Sequence, residues 1–273
     1  RPLGGAQALV LAAGERRTVR LRLVSVSLET AHGTTLAVSL GEGAHLTLLE
    51  SHEGLAEDYV ADIQLKIDLA AEARLDRVVL AQDGALSVAV TQAHVDLAPG
   101  ARLFQTTLTT GARRQRLETV VRHPGQGAHV QMDGVYLLTG RSHADLTSAV
   151  THAGLDGTTS QLVKGVASGQ ARGVFQGRIT VEPGADRTDA RMGHHALILD
   201  DRAEVDAKPE LLIFADDVAC AHGNTVGALD EDALFYARQR GVPEAEARAL
   251  LTSAFVGEVV DRIADEAVRE AGG

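Results

Sequence analysis

Cys220 and His222 are separated by a single residue within the run Lys208–Gly241, which reads KPELLIFADDVACAHGNTVGALDEDALFYARQRG. Cys220 is the only cysteine in the chain. In an extended strand, residues i and i+2 point to the same face, so a thiolate and an imidazole would project together here. Such a pair binds a soft or borderline metal, but it supplies two of the usual four ligands. The remaining ligands must come from elsewhere in the chain or from a second chain. Taken without its surroundings, Cys220 reads as a small buried apolar residue.

Other reactive groups carry less. Asp216-Asp217 are adjacent, and adjacent strand residues point apart, so a structural turn or an interface role is expected rather than a shared proton. Eleven histidines are present, among them the doublet His194-His195 and the scattered His45, His129, His143 and His152. His194 and His195 should face opposite sides of a strand and serve as polar lining or solvent-facing groups. His152 is read as structural. No G-x-x-x-x-G-K-[ST], H-E-x-x-H, C-x-x-C or G-x-S-x-G motif occurs, so no ATP is expected to bind this chain through a P-loop.

The elements that must position these groups leave a clear trace. A turn residue followed by alternating apolar positions recurs at Gly14, Gly43, Glu72, Gly100, Gly127, Gly157 and Gly184, with intervals of 29, 29, 28, 27, 30 and 27. A period between about 20 and 50 residues marks a repeat architecture. Between the turns the texture has period two, as in Thr18-Val19-Arg20-Leu21-Arg22-Leu23-Val24. Apolar residues make up 45% of the chain and aromatics only 3%, which suits a narrow, repetitive cross-section filled by aliphatics. The expected core is a β-helix-like solenoid of six or seven coils, about 4.8 Å per coil.

After Gly227 the pattern turns helical. Asp230 is a plausible N-cap, with Glu231 and Asp232 near the positive helix end and Gly241 as the stop. Pro243 opens a second helix, on which Leu251, Phe255, Val259 and Ile263 form an i, i+4 apolar stripe. The stripe must be covered by the first helix or by a partner. The whole reads as mainly β: a parallel β-helix over 1–228 with a small C-terminal α-helical domain over 229–273.

At 273 residues with a net charge of −11 and no basic run, the chain would repel a phosphate backbone, so nucleic acid is not an expected partner. One cysteine excludes an intrachain disulfide and fits a reducing, cytoplasmic setting. No apolar run approaches the roughly 20 residues of a membrane span. Arg1-Pro2-Leu3-Gly4-Gly5 lacks an initiator methionine and signal-peptide order, so a trimmed chain is expected.

The ordered anchors Pro209, Leu211, Ile213, Ala215-Asp216-Asp217-Val218, Cys220, His222-Gly223, Thr225-Val226-Gly227, Leu229-Asp230, Leu234-Phe235-Tyr236, Arg238 and Arg240-Gly241 resemble the C-terminal segment of the SufB/SufD family. Lys164-Gly165-Val166 and Gly173–Ile179 also look like this family, whose members are scaffold subunits of the SufBCD iron–sulfur cluster assembly complex. The resemblance is sharp from about Asp145 to Phe255 and diffuse before that. It implies a right-handed β-helical core and a non-enzymatic scaffold of the SufD type. It further implies pairing with SufB, binding of the SufC ATPase at the helical end, and a transient iron–sulfur cluster shared with SufB. His222 is then the first candidate ligand and Cys220 the second, with Leu251, Phe255, Val259 and Ile263 as candidate SufC contacts. Two features depart from the family: the His194-His195 doublet, and Asn224, whose amide replaces a common alanine at an expected tight corner. No helical segment is seen ahead of the sheet region, where the family usually carries one.

The single cysteine favours a SufD-like subunit over a SufB-like homodimeric scaffold, although a homodimer remains an expected state of the isolated chain. The contrasting class is a β-solenoid carbohydrate-active enzyme. Such a site commonly stacks sugars on aromatics, and eight Phe and Tyr residues are few for that purpose.

Overall fold

The computed structural model describes residues 6–123 and 125–263. The start at 1–5 and the end of the expected helical domain, 264–273, lie outside the described residues. Within them the chain forms sixteen strands followed by two helices. The odd strands are β1 (Ala6–Leu11), β3 (Thr30–Leu40), β5 (Tyr59–Leu69), β7 (Val88–Leu97), β9 (Arg114–His123), β11 (His143–His152), β13 (Arg172–Val181) and β15 (Glu204–Ile213). The even strands are β2 (Arg16–Ser25), β4 (His45–Gly54), β6 (Arg74–Gln82), β8 (Arg102–Thr109), β10 (His129–Leu138), β12 (Thr158–Ala167), β14 (Thr188–Ile198) and β16 (Val218–Gly227).

Odd strands pair only with odd strands and even with even, giving two eight-stranded parallel sheets in simple sequential order. Each coil of the solenoid therefore spends one strand in each sheet. There are eight coils rather than six or seven, because β15 and β16 add a turn beyond the last recurring glycine. Seven steps between them span roughly 34 Å.

Period-two patterning is what sends the chain into this form. In β5 every second residue, Tyr59, Ala61, Ile63, Leu65, Ile67 and Leu69, is buried, while Val60, Asp62 and Lys66 face out. The corners need a left-handed residue, which glycine supplies at least cost. Gly14, Gly43, Gly100 and Gly127 take it, and Glu72 takes it at φ 57°. At the next corner the left-handed residue is Asp156, not Gly157, and its counterpart one coil on is Arg187. An ion pair joins them, Arg187 Nε to Asp156 Oδ1 at 2.6 Å. The step there is longer than the Gly157-to-Gly184 interval because the corner before β14 carries extra residues.

The narrow interior is filled by aliphatics, with Tyr59, Tyr136 and Phe175 as its fully buried aromatics. Gly165 makes room for Tyr136: a Cβ there would lie 1.8 Å from Tyr136 Cζ. Polar side chains also enter the lumen. Arg77 Nε donates to Glu50 at 2.9 Å and its Nη1 donates to Gln105 at 2.9 Å, while His52 Nε2 lies 2.7 Å from Glu50.

Helix α1 (Glu231–Gln239) is capped by Asp230, whose carboxylate accepts from the amides of Asp232 and Ala233, and Gly241 ends it at φ 85°. Pro243 immediately precedes α2 (Glu244–Val260). The C-terminal part of the apolar stripe packs within the chain. Val259 is fully buried against Val135 and Leu162 on the outer faces of β10 and β12, and Ile263 is buried as well. Arg262 fixes the end of the helix through Asp133 (Nε to Oδ2, 2.9 Å) and Ser160 (2.8 Å). Lys164 pairs with Glu258 and lies 4.4 Å from the centroid of the Phe255 ring. The sheet itself thus covers the C-terminal part of the stripe, while Leu251 and Phe255 stay only partly buried. Among the described residues no helix is long and apolar enough to cross a membrane.

Candidate functional site

Cys220 and His222 lie on β16, the last strand of its sheet, which pairs with β14 on one side only. The register sets Cys220 beside Ala190, His222 beside Met192 and Asn224 beside His194. Ala190, Met192 and His194 are buried in the lumen, so Cys220, His222 and Asn224 continue the inward-facing columns at the open end. The sequence expectation that both side chains share a face holds. Cys220 is half-buried against the core, whereas His222 is exposed. β15 closes the other side of this end and is likewise paired only with β13.

Burial pushes the Cys220 thiol up, a backbone hydrogen bond at Ala190 partly offsets this, and the nearby Asp189 carboxylate raises it further. The thiol is therefore protonated in the isolated chain and must lose its proton to serve as a ligand. Among the described residues no group of three or more His, Cys, Asp or Glu comes together in a way that could hold a metal ion. Cys220 and His222 thus stand as two potential donors on an open edge, fewer than the four that a closed metal site usually needs.

The doublet behaves asymmetrically. His195 faces outward, with Nδ1 2.7 Å from Thr225 Oγ1. His194 lines the lumen as a polar group: it is fully buried and stacks on Phe175 at 4.9 Å and 3°. Its Nε2 lies 3.0 Å from the Tyr136 hydroxyl and its Nδ1 lies 2.7 Å from Asn224 Oδ1. Burial lowers its proton affinity, and the Asn224 hydrogen bond works weakly the other way. Asn224 is accordingly a mid-strand hydrogen-bonding residue and not a corner residue. The legible signal for His194 was its place in the alternation Ala190-Met192-His194-Ala196, all of whose members face inward.

His152 is structural in an unusual way. It and His123 end adjacent strands and are fully buried, their ring centroids 3.8 Å apart at 75°. His152 Nε2 lies 2.9 Å from Thr159 Oγ1, while neither nitrogen of His123 has a hydrogen-bond partner among the described residues. Asp216 and Asp217 lie in the bend between β15 and β16, as expected of a turn.

The open end is partly apolar. Leu212, Ile213, Phe214 and Val226 are all exposed around the two free strands. Unpaired strand edges flanked by exposed apolar groups are a template for further pairing.

Comparison with known proteins places this geometry. Residues 24–255 match the family described as SUF system FeS cluster assembly, SufBD core domain. The chain is 30% identical to the iron–sulfur cluster assembly protein SufD of Escherichia coli over 85% of its own length and 55% of that protein. It is 28% identical to a SufBD family protein of Synechocystis over 84% of its own length and 52% of the relative. A SufBD family protein of Mycobacterium tuberculosis is 30% identical over 86% of this chain and 60% of the relative. The chain spans about half the length of the curated relatives it matches. Its two-sheet parallel solenoid and the match over most of its length lead to one assignment: the chain belongs to the SufBD core-domain family of the SUF iron–sulfur cluster assembly system.

Proposed function

We propose that this chain is a non-enzymatic scaffold subunit of the SufD type, which pairs with SufB through the free end formed by β15 and β16. His222, with Cys220 beside it, contributes to a nascent cluster shared across that junction. The observation that carries this reading is the position of the Cys-x-His pair on an inward-facing column at an uncapped sheet edge. An incomplete ligand set there is completed when a second solenoid abuts the first. An imidazole ligand holds iron less tightly than a fourth thiolate, which suits a scaffold that must release its product.

The helical end is the proposed SufC-binding region. Val259 and Ile263 anchor α2 to the sheet, so the contact to the ATPase falls to Leu251 and Phe255 together with the exposed Phe235, Tyr236 and Leu250. Family membership favours this scaffold over a carbohydrate-active solenoid. The same open end would accept a second copy of the chain when SufB is absent.

The test is anaerobic co-expression with SufB and SufC, comparing the parent with His222→Ala. Iron and sulfide per complex are measured after the assembled complex is isolated. The proposal expects normal assembly and loss of most of the cluster. Unchanged iron and sulfide in an intact complex would remove His222 from the site and leave the chain a purely structural partner.

A further inference from the structure

Four arginines from successive coils gather on one concave corner of the solenoid. Arg114, His143, Arg172 and Glu204 are the first residues of β9, β11, β13 and β15, successive strands of one sheet. The register places His143 beside Arg172 and Arg172 beside Glu204. The neighbouring turns add Arg141, Ser142, Gln170 and Arg202, and together these eight residues line an open cavity of about 370 Å³.

The charge there runs against the molecule. The chain carries −11 overall, yet this cavity is lined by four guanidiniums and one carboxylate. That carboxylate, Glu204, and Asp206 both engage the same arginine, Arg172, at 3.7 and 2.6 Å. Among the described residues Arg114, Arg141 and Arg202 have no acidic partner; Arg114 donates instead to the Arg113 carbonyl at 2.8 Å. His143 also lines the cavity, its buried Nδ1 without a hydrogen-bond partner among the described residues. Burial first, then Arg114 and Arg172, lower the proton affinity of that ring, opposed by Asp145 and by a backbone hydrogen bond at Gln115.

Coils stacked about 4.8 Å apart bring arginines from different turns around one small volume. The planar guanidinium matches phosphate oxygens two at a time, and several in a shared concavity favour a multiply charged anion. A long polyanion such as nucleic acid would meet the acidic remainder of the surface, so a compact ligand fits better.

We propose that this corner binds a small phosphoanhydride anion, either inorganic pyrophosphate or the diphosphate of a nucleotide. The proposal is independent of the cluster site. Its test is calorimetric titration of the full chain with pyrophosphate and with ADP at low salt. Saturable one-to-one binding is expected, weakened at least about tenfold in Arg141→Gln/Arg202→Gln, whose side chains are exposed turn residues. The charge-matched pair Arg16→Gln/Arg20→Gln, on the distant β2, should change affinity less than about twofold. Equal affinity for the two probes assigns the site to the inorganic anion, and tighter binding of ADP assigns it to a nucleotide. Absence of saturable binding, equal weakening by both variant pairs, or binding of a single-stranded oligonucleotide but of neither probe overturns the proposal.

Discussion

His194 Nδ1 lies 2.7 Å from the side-chain oxygen of Asn224, joining the buried lumen of the solenoid to the exposed strand that carries His222. The ring is further fixed by Phe175 and the Tyr136 hydroxyl, and Gly165 leaves the space that Tyr136 occupies. The last strand is therefore held by its ladder and also by a polar contact two residues from the candidate ligand. Asn224→Ala should lower stability by about 1 kcal/mol through the loss of that partner. Urea denaturation reads this directly, and an unchanged midpoint would show that the contact contributes nothing.

The His123–His152 pair sets an acid limit. Burial holds both imidazoles well below the ordinary value of 6.5, and their mutual proximity adds to this for His152. Since the folded state refuses protons that the unfolded state accepts, stability is full above about pH 6.5 and falls as the pH drops below it. His123→Leu should reduce this dependence by removing one such group. Urea midpoints at pH 7.5, 6.5 and 5.5 test it: parallel decline in parent and variant would exclude the pair as the cause.

Glu50 and Arg77 form a fully buried ion pair. Burial acts to raise the Glu50 carboxyl, but Arg77 and His52 outweigh it and hold the group down to about 2. Arg77→Met leaves the buried Glu50 carboxylate with His52 as its remaining partner and should cost about 3–5 kcal/mol. The double variant Glu50→Leu/Arg77→Met should recover most of that loss. Thermal melts of the three proteins decide the matter, and a double variant as unstable as the single one would contradict it.

The clamp on α2 predicts a separable event. Asp133 has a fully buried side chain and is paired with Arg262. Burial raises the Asp133 carboxyl, while Arg262, Gln131 and the Leu162 amide oppose the shift. Arg262→Ala should loosen α2 without melting the coils, because the sheets do not depend on the helix for pairing. Hydrogen exchange should accelerate in 244–260 at least about tenfold and stay unchanged in β5 and β7. Uniform acceleration across the chain would show that helix and solenoid open together.

The recurring turn residues and period-two aliphatics were sufficient to identify a parallel solenoid, because each strand's burial pattern is local and visible in its own residues. The common face of Cys220 and His222 was legible for the same reason, as were the Asp230 cap and the Gly241 stop. The coil number was not, since the final turn carries no glycine at the counted spacing. The partner of the Leu251–Ile263 stripe also escaped the sequence: an amphipathic helix announces that it must be covered, but not by which surface. Only the stacked coils reveal that β10 and β12 present Val135 and Leu162 to Val259, or that residues 58 positions apart, Tyr136 and His194, share a hydrogen bond. The arginines at the starts of β9 and β13 and in the turns before β11 and β15 meet for the same reason. Spacing along the chain fixed the repeat and the two-residue motif; the register between coils, a nonlocal property, decided which side chains became neighbours.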